Sequence, residues 1–188
     1  MAVKTFTQGE KLTTADTNTY LANSGLVYVT STTFGSPQAA VNLDNIFTST
    51  YAIYSITFQF VNSSDGQNMY LQFREGGTTY TTANYFSSQI FSTYLGGGPS
   101  ALGQNAATFF NIGGAGNYMN HNVLTVVNPQ KATRATLSWQ NFMNGASYAQ
   151  QYVGGGAIAA TNQFDGIRVV SSSGTITGTI RVYGQRQV

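Results

Sequence analysis

One histidine, six side-chain carboxylates and no cysteine give this 188-residue chain little of the material from which acid–base pairs, thiol nucleophiles and metal sites are most often built. Missing cysteine removes thiolate nucleophiles, thiolate metal sites and disulfide staples together. His121 stands alone in Asn120-His121-Asn122, a polar setting in which a histidine is solvated or hydrogen-bonded rather than catalytic. Of the acids, Asp65 and Asp165 each precede a glycine and read as turn formers that accept local backbone hydrogen bonds. Glu10 and Asp16 fall in the N-terminal segment. Asp44, Glu75 and Asp165 are then the only material for a glycosidase-type carboxylate pair. No histidine pair and no Asp-x-Asp-x-Asp-Gly loop is present, although a calcium ion held by backbone carbonyls leaves no sequence trace. The expectation is a protein with no catalytic residues, no metal and no cofactor. An enzyme such as a depolymerase, resting on three scattered carboxylates, ranks last.

Aromatic residues hold more promise. Tyr80, Tyr85, Tyr94, Tyr118, Tyr148 and Tyr152 crowd the middle of the chain among Asn, Gln and Gly. A tyrosine face beside amide side chains suits sugar recognition or a protein interface, because each ring joins apolar area to a polar tip. The competing reading puts half or more of them in the core.

Charged residues make up 7% of the chain, against about 25% in an average soluble protein. Such a surface is wetted by Ser, Thr, Asn, Gln and Tyr, as in extracellular β-proteins and subunits packed into assemblies. The basic residues Lys4, Lys11, Arg74, Lys131, Arg134, Arg168, Arg181 and Arg186 are scattered, so no nucleic-acid footprint is expected. No apolar run approaches the roughly 20 residues of a membrane span, and the start Met1-Ala2-Val3-Lys4 has no signal-peptide core. An extracellular-looking composition without an export signal fits a virus particle, whose outer proteins fold in the host cytoplasm and leave by lysis.

Two kinds of element must position these residues. Thr13 can cap a short helix, with Asp16 returning the capping-box interaction and Leu21 and Ala22 as apolar contacts up to about Asn23. So short a helix needs a partner surface. From Leu26 onward the pattern has period two: Tyr54, Ile56, Phe58 and Phe60 alternate with polar residues, as do Leu71 and Phe73, and Ala135, Leu137 and Trp139. Leu124 and Val126 begin a strand that Asn128-Pro129 ends. Short strands are also expected at Leu26 to Thr30, Ala40 to Leu43, Thr78 to Tyr85, Thr108 to Ile112 and Ala157 to Thr161. Ile167 to Val170 and Ile176 to Val182 flank Ser172-Ser173-Gly174, which reads as a hairpin. Glycine clusters at Gly96 to Gly98, Gly113 to Gly116 and Gly154 to Gly156 mark loops or close backbone approaches, and none carries a phosphate-loop ending. About ten strands with regular turns predict an all-β fold, a two-sheet antiparallel sandwich of jelly-roll-like form. Residues 1–23 would be an attachment arm with a short helix, and residues 24–188 the β-sandwich knob.

The run Phe6-Thr7-Gln8-Gly9-Glu10-Lys11-Leu12-Thr13-Thr14-Ala15-Asp16-Thr17-Asn18-Thr19-Tyr20-Leu21 resembles a segment at the start of many tailed-bacteriophage structural proteins. That pattern is Phe, then Gly, then Leu-Thr-Ala-Ala, an Asn and an apolar helix; here Thr14 replaces the first Ala, and Thr17 stands where an apolar residue is common. The body is similar to small β-rich virion proteins of tailed phages, around Phe34, around Asn45-Ile46-Phe47-Thr48-Ser49-Thr50-Tyr51 and from Gly174 to Gly184. The resemblance implies a non-catalytic virion protein on the particle surface, a homotrimer attached through Phe6, Gly9, Leu12, Thr13, Asp16, Asn18 and Leu21. Without a fibre shaft, a capsid decoration or cement protein bound to the major capsid protein comes first. A tail-fibre or tail-tip subunit that binds a host surface glycan comes second.

Overall fold

A computed structural model describes residues 9–11, 13, 25–94, 96, 98–146 and 149–185. The alternating segments become strands because one face of each buries large side chains while the other stays wet. In chain order they are β1 (Leu26–Gln38), β2 (Ala40–Leu43), β3 (Ile53–Asn62), β4 (Gln67–Glu75), β5 (Thr78–Thr79), β6 (Tyr85–Thr93), β7 (Ser100–Ala107), β8 (Phe110–Ala115), β9 (Asn120–Val127), β10 (Thr136–Asn144), β11 (Ala149–Ile158), β12 (Gly166–Ser171) and β13 (Ile176–Gln185). They form two antiparallel sheets. The larger has the order β1-β13-β3-β9-β10-β11-β6-β7, and the smaller runs β2-β12-β4, with β5 and β8 sharing the far side of β4. The fold is all-β, with no helix among the described residues. The capped helix expected after Thr13 lies outside them.

One core joins the inner faces. Tyr54, Ile56, Phe58 and Phe60 of β3 and Leu124 and Val126 of β9 are fully buried, as are Met69, Leu71 and Phe73 of β4. Tyr85 of β6 meets Phe110 of β8 edge-on at 4.8 Å across the two sheets, and Phe73 of β4 stacks at 4.7 Å on Phe164 of the segment that leads into β12. Such pairs add about 0.5–1.5 kcal/mol beyond area burial.

The structure corrects several sequence expectations. Ser172-Ser173-Gly174 is not a hairpin turn: β12 pairs with β2 and β4, whereas β13 pairs with β1 and β3. The chain crosses there between sheets, and a parallel crossing from β3 to β4 is laced to it. Asn62 Nδ2 donates to Ser171 Oγ at 2.5 Å, Ser63 N–H to the Thr175 carbonyl, and Thr175 N–H to Ser63 Oγ. Secondly, of the two readings of Gly154 to Gly156 the close backbone approach holds and the loop does not: they lie within β11, which starts well before the strand expected at Ala157 to Thr161. A Cβ on Gly154 would overlap the Trp139 indole, so the glycine is there to admit a large neighbour on the inner face. Thirdly, the strand expected at Thr78 to Tyr85 is only the two residues of β5, and the longer β6 and β7 follow it. Asp165-Gly166 also differs from a simple turn, since Gly166 opens β12.

Candidate interaction surface

The carboxylates open the account of chemistry. Asp44, Glu75 and Asp165 gather round the β4–β5 turn, each bonded to the framework. Arg74 Nε donates to Asp44 Oδ1 at 2.6 Å, and the same guanidinium donates to Thr79 Oγ1 and to the Gly77 carbonyl. Asn162 Nδ2 donates to Glu75 Oε2 at 2.8 Å, and Gly76 N–H to Asp165 Oδ2 at 2.9 Å. The Asp165 carbonyl accepts the N–H groups of Ile46 and Phe47. These acids brace a tight turn and the chain entering the core. Among the described residues no group of three or more His, Asp or Glu side chains is arranged to hold a metal ion.

The expected aromatic surface divides. Tyr85 is fully buried; its hydroxyl accepts the Phe73 N–H at 3.0 Å and donates to the Tyr80 carbonyl at 2.9 Å. Burial pushes its phenol well above the usual tyrosine range. Tyr152 is also buried, its ring stacked on Phe91 at 5.3 Å. Tyr80 is half-buried against Phe164, with its hydroxyl accepting from Asn84. These three are therefore framework residues: their positions on β6, on β11 and beside β5 turn the rings inward. Tyr94 and Tyr118 stay exposed, at 66% and 55%. Tyr148 lies outside the described residues, as do Phe6, Leu12, Asp16, Asn18 and Leu21 of the arm. Gly9 and Thr13 are described, and both are exposed.

What the fold builds instead is a broad outer face on the eight-stranded sheet. Antiparallel register sets side chains of equal parity side by side. One row crosses β3, β9, β10, β11 and β6 as Thr57, Val123, Gln140, Val153 and Ile90. The next runs Gln59, His121, Phe142, Gln151 and Ser92, and a third runs Ser55, Thr125, Ser138, Gly155 and Ser88. Ile90, Phe142 and Val153 are about half exposed, at 58%, 49% and 48%. Across the eight strands of this sheet the only permanently charged side chain is Arg181, and His121 is the only histidine. Arg74, Glu75 and Arg168 all belong to the smaller sheet. Shallow depressions follow the outer rows. One is lined by Tyr94, Phe142, Gln150 and Gln151, another by His121, Val123, Gln140 and Phe142.

Sequence reasoning passed over Phe142, Val153 and Ile90. For Phe142 the signal was present: Leu137 and Trp139 point inward, so an even-numbered residue on the same strand must point outward. Val153 adjoins a glycine cluster that reads as a loop or a close backbone approach, which hides its place on a strand face. Comparison with known proteins yields no match to a family model, to a curated protein or to a solved structure.

Proposed function

We propose that this chain is a non-catalytic structural protein of a bacteriophage particle, a capsid decoration or cement protein held on the capsid by its N-terminal arm. The observation that carries the reading is the outer face of the eight-stranded sheet. It presents half-exposed Phe142, Val153 and Ile90 in a field of Thr, Ser and Gln, with Arg181 of β13 at its margin beside Thr57. Contiguous apolar groups on a polar surface mark an interaction site, and with Arg181 beside Thr57 as the one fixed charge on the strands of this sheet, the desolvation penalty that buried charges carry stays small. The three carboxylates engaged in bracing a turn add nothing to a catalytic reading. The jelly-roll-like topology belongs to the same proposal, supported by the repeated passage of the chain between sheets.

Quantitative mass spectrometry of purified particles tests the station. Hundreds of copies per particle are expected, whereas a dozen or so would move the protein to the tail. Deletion of residues 1–23 is expected to abolish particle binding and leave a folded knob; continued binding by the truncated protein would overturn the arm's role. One observation favours the second reading, a tail subunit that binds a host glycan. Tyr94 and Phe142 lie beside Gln150 and Gln151 in one depression, a pairing of ring faces with amides that suits a sugar. Glycan-array binding by the intact protein, lost in Tyr94→Ala, would support it.

A further inference from the structure

A sheet edge exposes a row of unpaired N–H and C=O groups, and proteins blunt it with bulges, proline or charge. The two edges of the large sheet differ in this respect. Along β1 the register with β13 breaks twice, between Tyr28 and Thr30 and between Phe34 and Gln38, and Pro37 removes an N–H at its end. Along β7 the register shifts once, between Gln104 and Ala107 where Ala106 takes a φ of 52°, and before it Ser100 to Gln104 pair in unbroken register with Phe91 to Ser87. No charged residue and no proline occurs from Ser100 to Ala107. Ser100 to Gly103 are exposed, and no described strand pairs with the far side of β7. Leu102 is 46% exposed. Space does not dictate Gly103 either, because a Cβ there would meet only the Ser87 carbonyl oxygen, at 4.0 Å.

We propose that the Ser100–Gln104 edge of β7 is a self-pairing strand, through which a second copy of this chain adds its own β7 antiparallel across a two-fold axis. A two-fold contact must be self-complementary, and one antiparallel strand laid against its copy meets that condition through backbone hydrogen bonds alone. Identical strands usually oppose like charges when they pair; this one has none to oppose. The missing side chain at Gly103 leaves the approach clear, and Leu102 of each copy supplies apolar area at the seam. A five-residue seam is short, so pairing in dilute solution is weak, with a Kd on the order of micromolar to millimolar. It strengthens wherever copies are concentrated on one surface. The proposal commits to a two-fold partner in place of the trimer implied by the phage resemblance.

Because the chain has no cysteine, one introduced thiol can form a disulfide only with another copy. Leu102→Cys and Gly103→Cys lie at the middle of the edge and report pairing centred on either residue; at least one of them is expected to give covalent dimers under mild oxidation. Ser36→Cys on the opposite edge strand is expected to stay monomeric. Sedimentation equilibrium of the cysteine-free protein should show a monomer–dimer equilibrium, weakened at least about tenfold by Leu102→Lys with cooperative unfolding retained. A monomer up to about 1 mM, a trimer insensitive to Leu102→Lys, or cross-linking through Ser36→Cys alone would each overturn the proposal.

Discussion

Replacing Phe142 by alanine probes the outer face most directly. The ring stands between His121 and Gln151 on neighbouring strands and is 49% exposed. A phenylalanine side chain presents roughly 200 Å², so about 100 Å² of apolar surface remains for a partner to cover. At about 25 cal/mol per Å², covering it contributes roughly 2.5 kcal/mol, of which alanine forfeits about 2 kcal/mol. The affinity of the protein for particles stripped of it should therefore fall roughly 30-fold. The assay is a titration of purified protein onto stripped particles, with bound copies counted by mass spectrometry. Phe142 is on the solvent side of β10, so the fold itself should lose less than about 1 kcal/mol, measured by urea unfolding. Val170→Ala, on the outer side of the small sheet, serves as the comparison and should bind like the unaltered protein. If Phe142→Ala also fills particles at the unaltered concentration, the large outer face is not the interface and the argument from its composition fails.

Tyr85 and Asn122 give two further expectations. Folding keeps the Tyr85 phenol neutral above its ordinary pKa of 10.0, so the unfolded chain releases a proton there that the folded protein retains. Stability from this group is intact below about pH 10 and falls by up to about 1.4 kcal/mol per pH unit above it. Tyr85→Phe should be less stable by about 1–3 kcal/mol at pH 7, since it orphans the Phe73 N–H and the Tyr80 carbonyl. It lacks the alkaline slope, so urea melts should show the gap narrowing above pH 10; a constant gap would contradict the buried, neutral phenol. Asn122 is fully buried on β9, and neither its amide nitrogen nor its amide oxygen has a hydrogen-bond partner among the described residues. Asn122→Leu, of similar volume, should raise stability by about 1–3 kcal/mol, and a lower denaturation midpoint would show that the amide is satisfied.

Alternation in the sequence determined much of this molecule by itself. Tyr54 to Phe60, and Leu137 and Trp139, declared strands with one buried face, Leu71 and Phe73 a strand whose other face Gln72 and Arg74 bury as well, and Asn128-Pro129 marked an end that Asn128 makes with a φ of 56°. Low charge was equally legible, and it announced a surface meant to be wetted by hydroxyls and amides. Partner choice was not legible, because period two says that a strand has two faces and is silent on which strand lies beside it. The short link from Ser171 to Ile176 therefore looked like a hairpin until pairing with β2, β4, β1 and β3 sent the two flanking strands to different sheets. The glycines of β11 were opaque for a related reason: what excludes a Cβ at Gly154 is Trp139, fifteen positions away in the chain and adjacent only across the ladder. The candidate surface has the same origin. Thr57, Val123, Gln140, Val153 and Ile90 are dispersed over the sequence, and only the register of five strands lines them into one uncharged row. Local periodicity reaches a few residues; a face is made by hydrogen bonds between segments that the chain brings together only on folding.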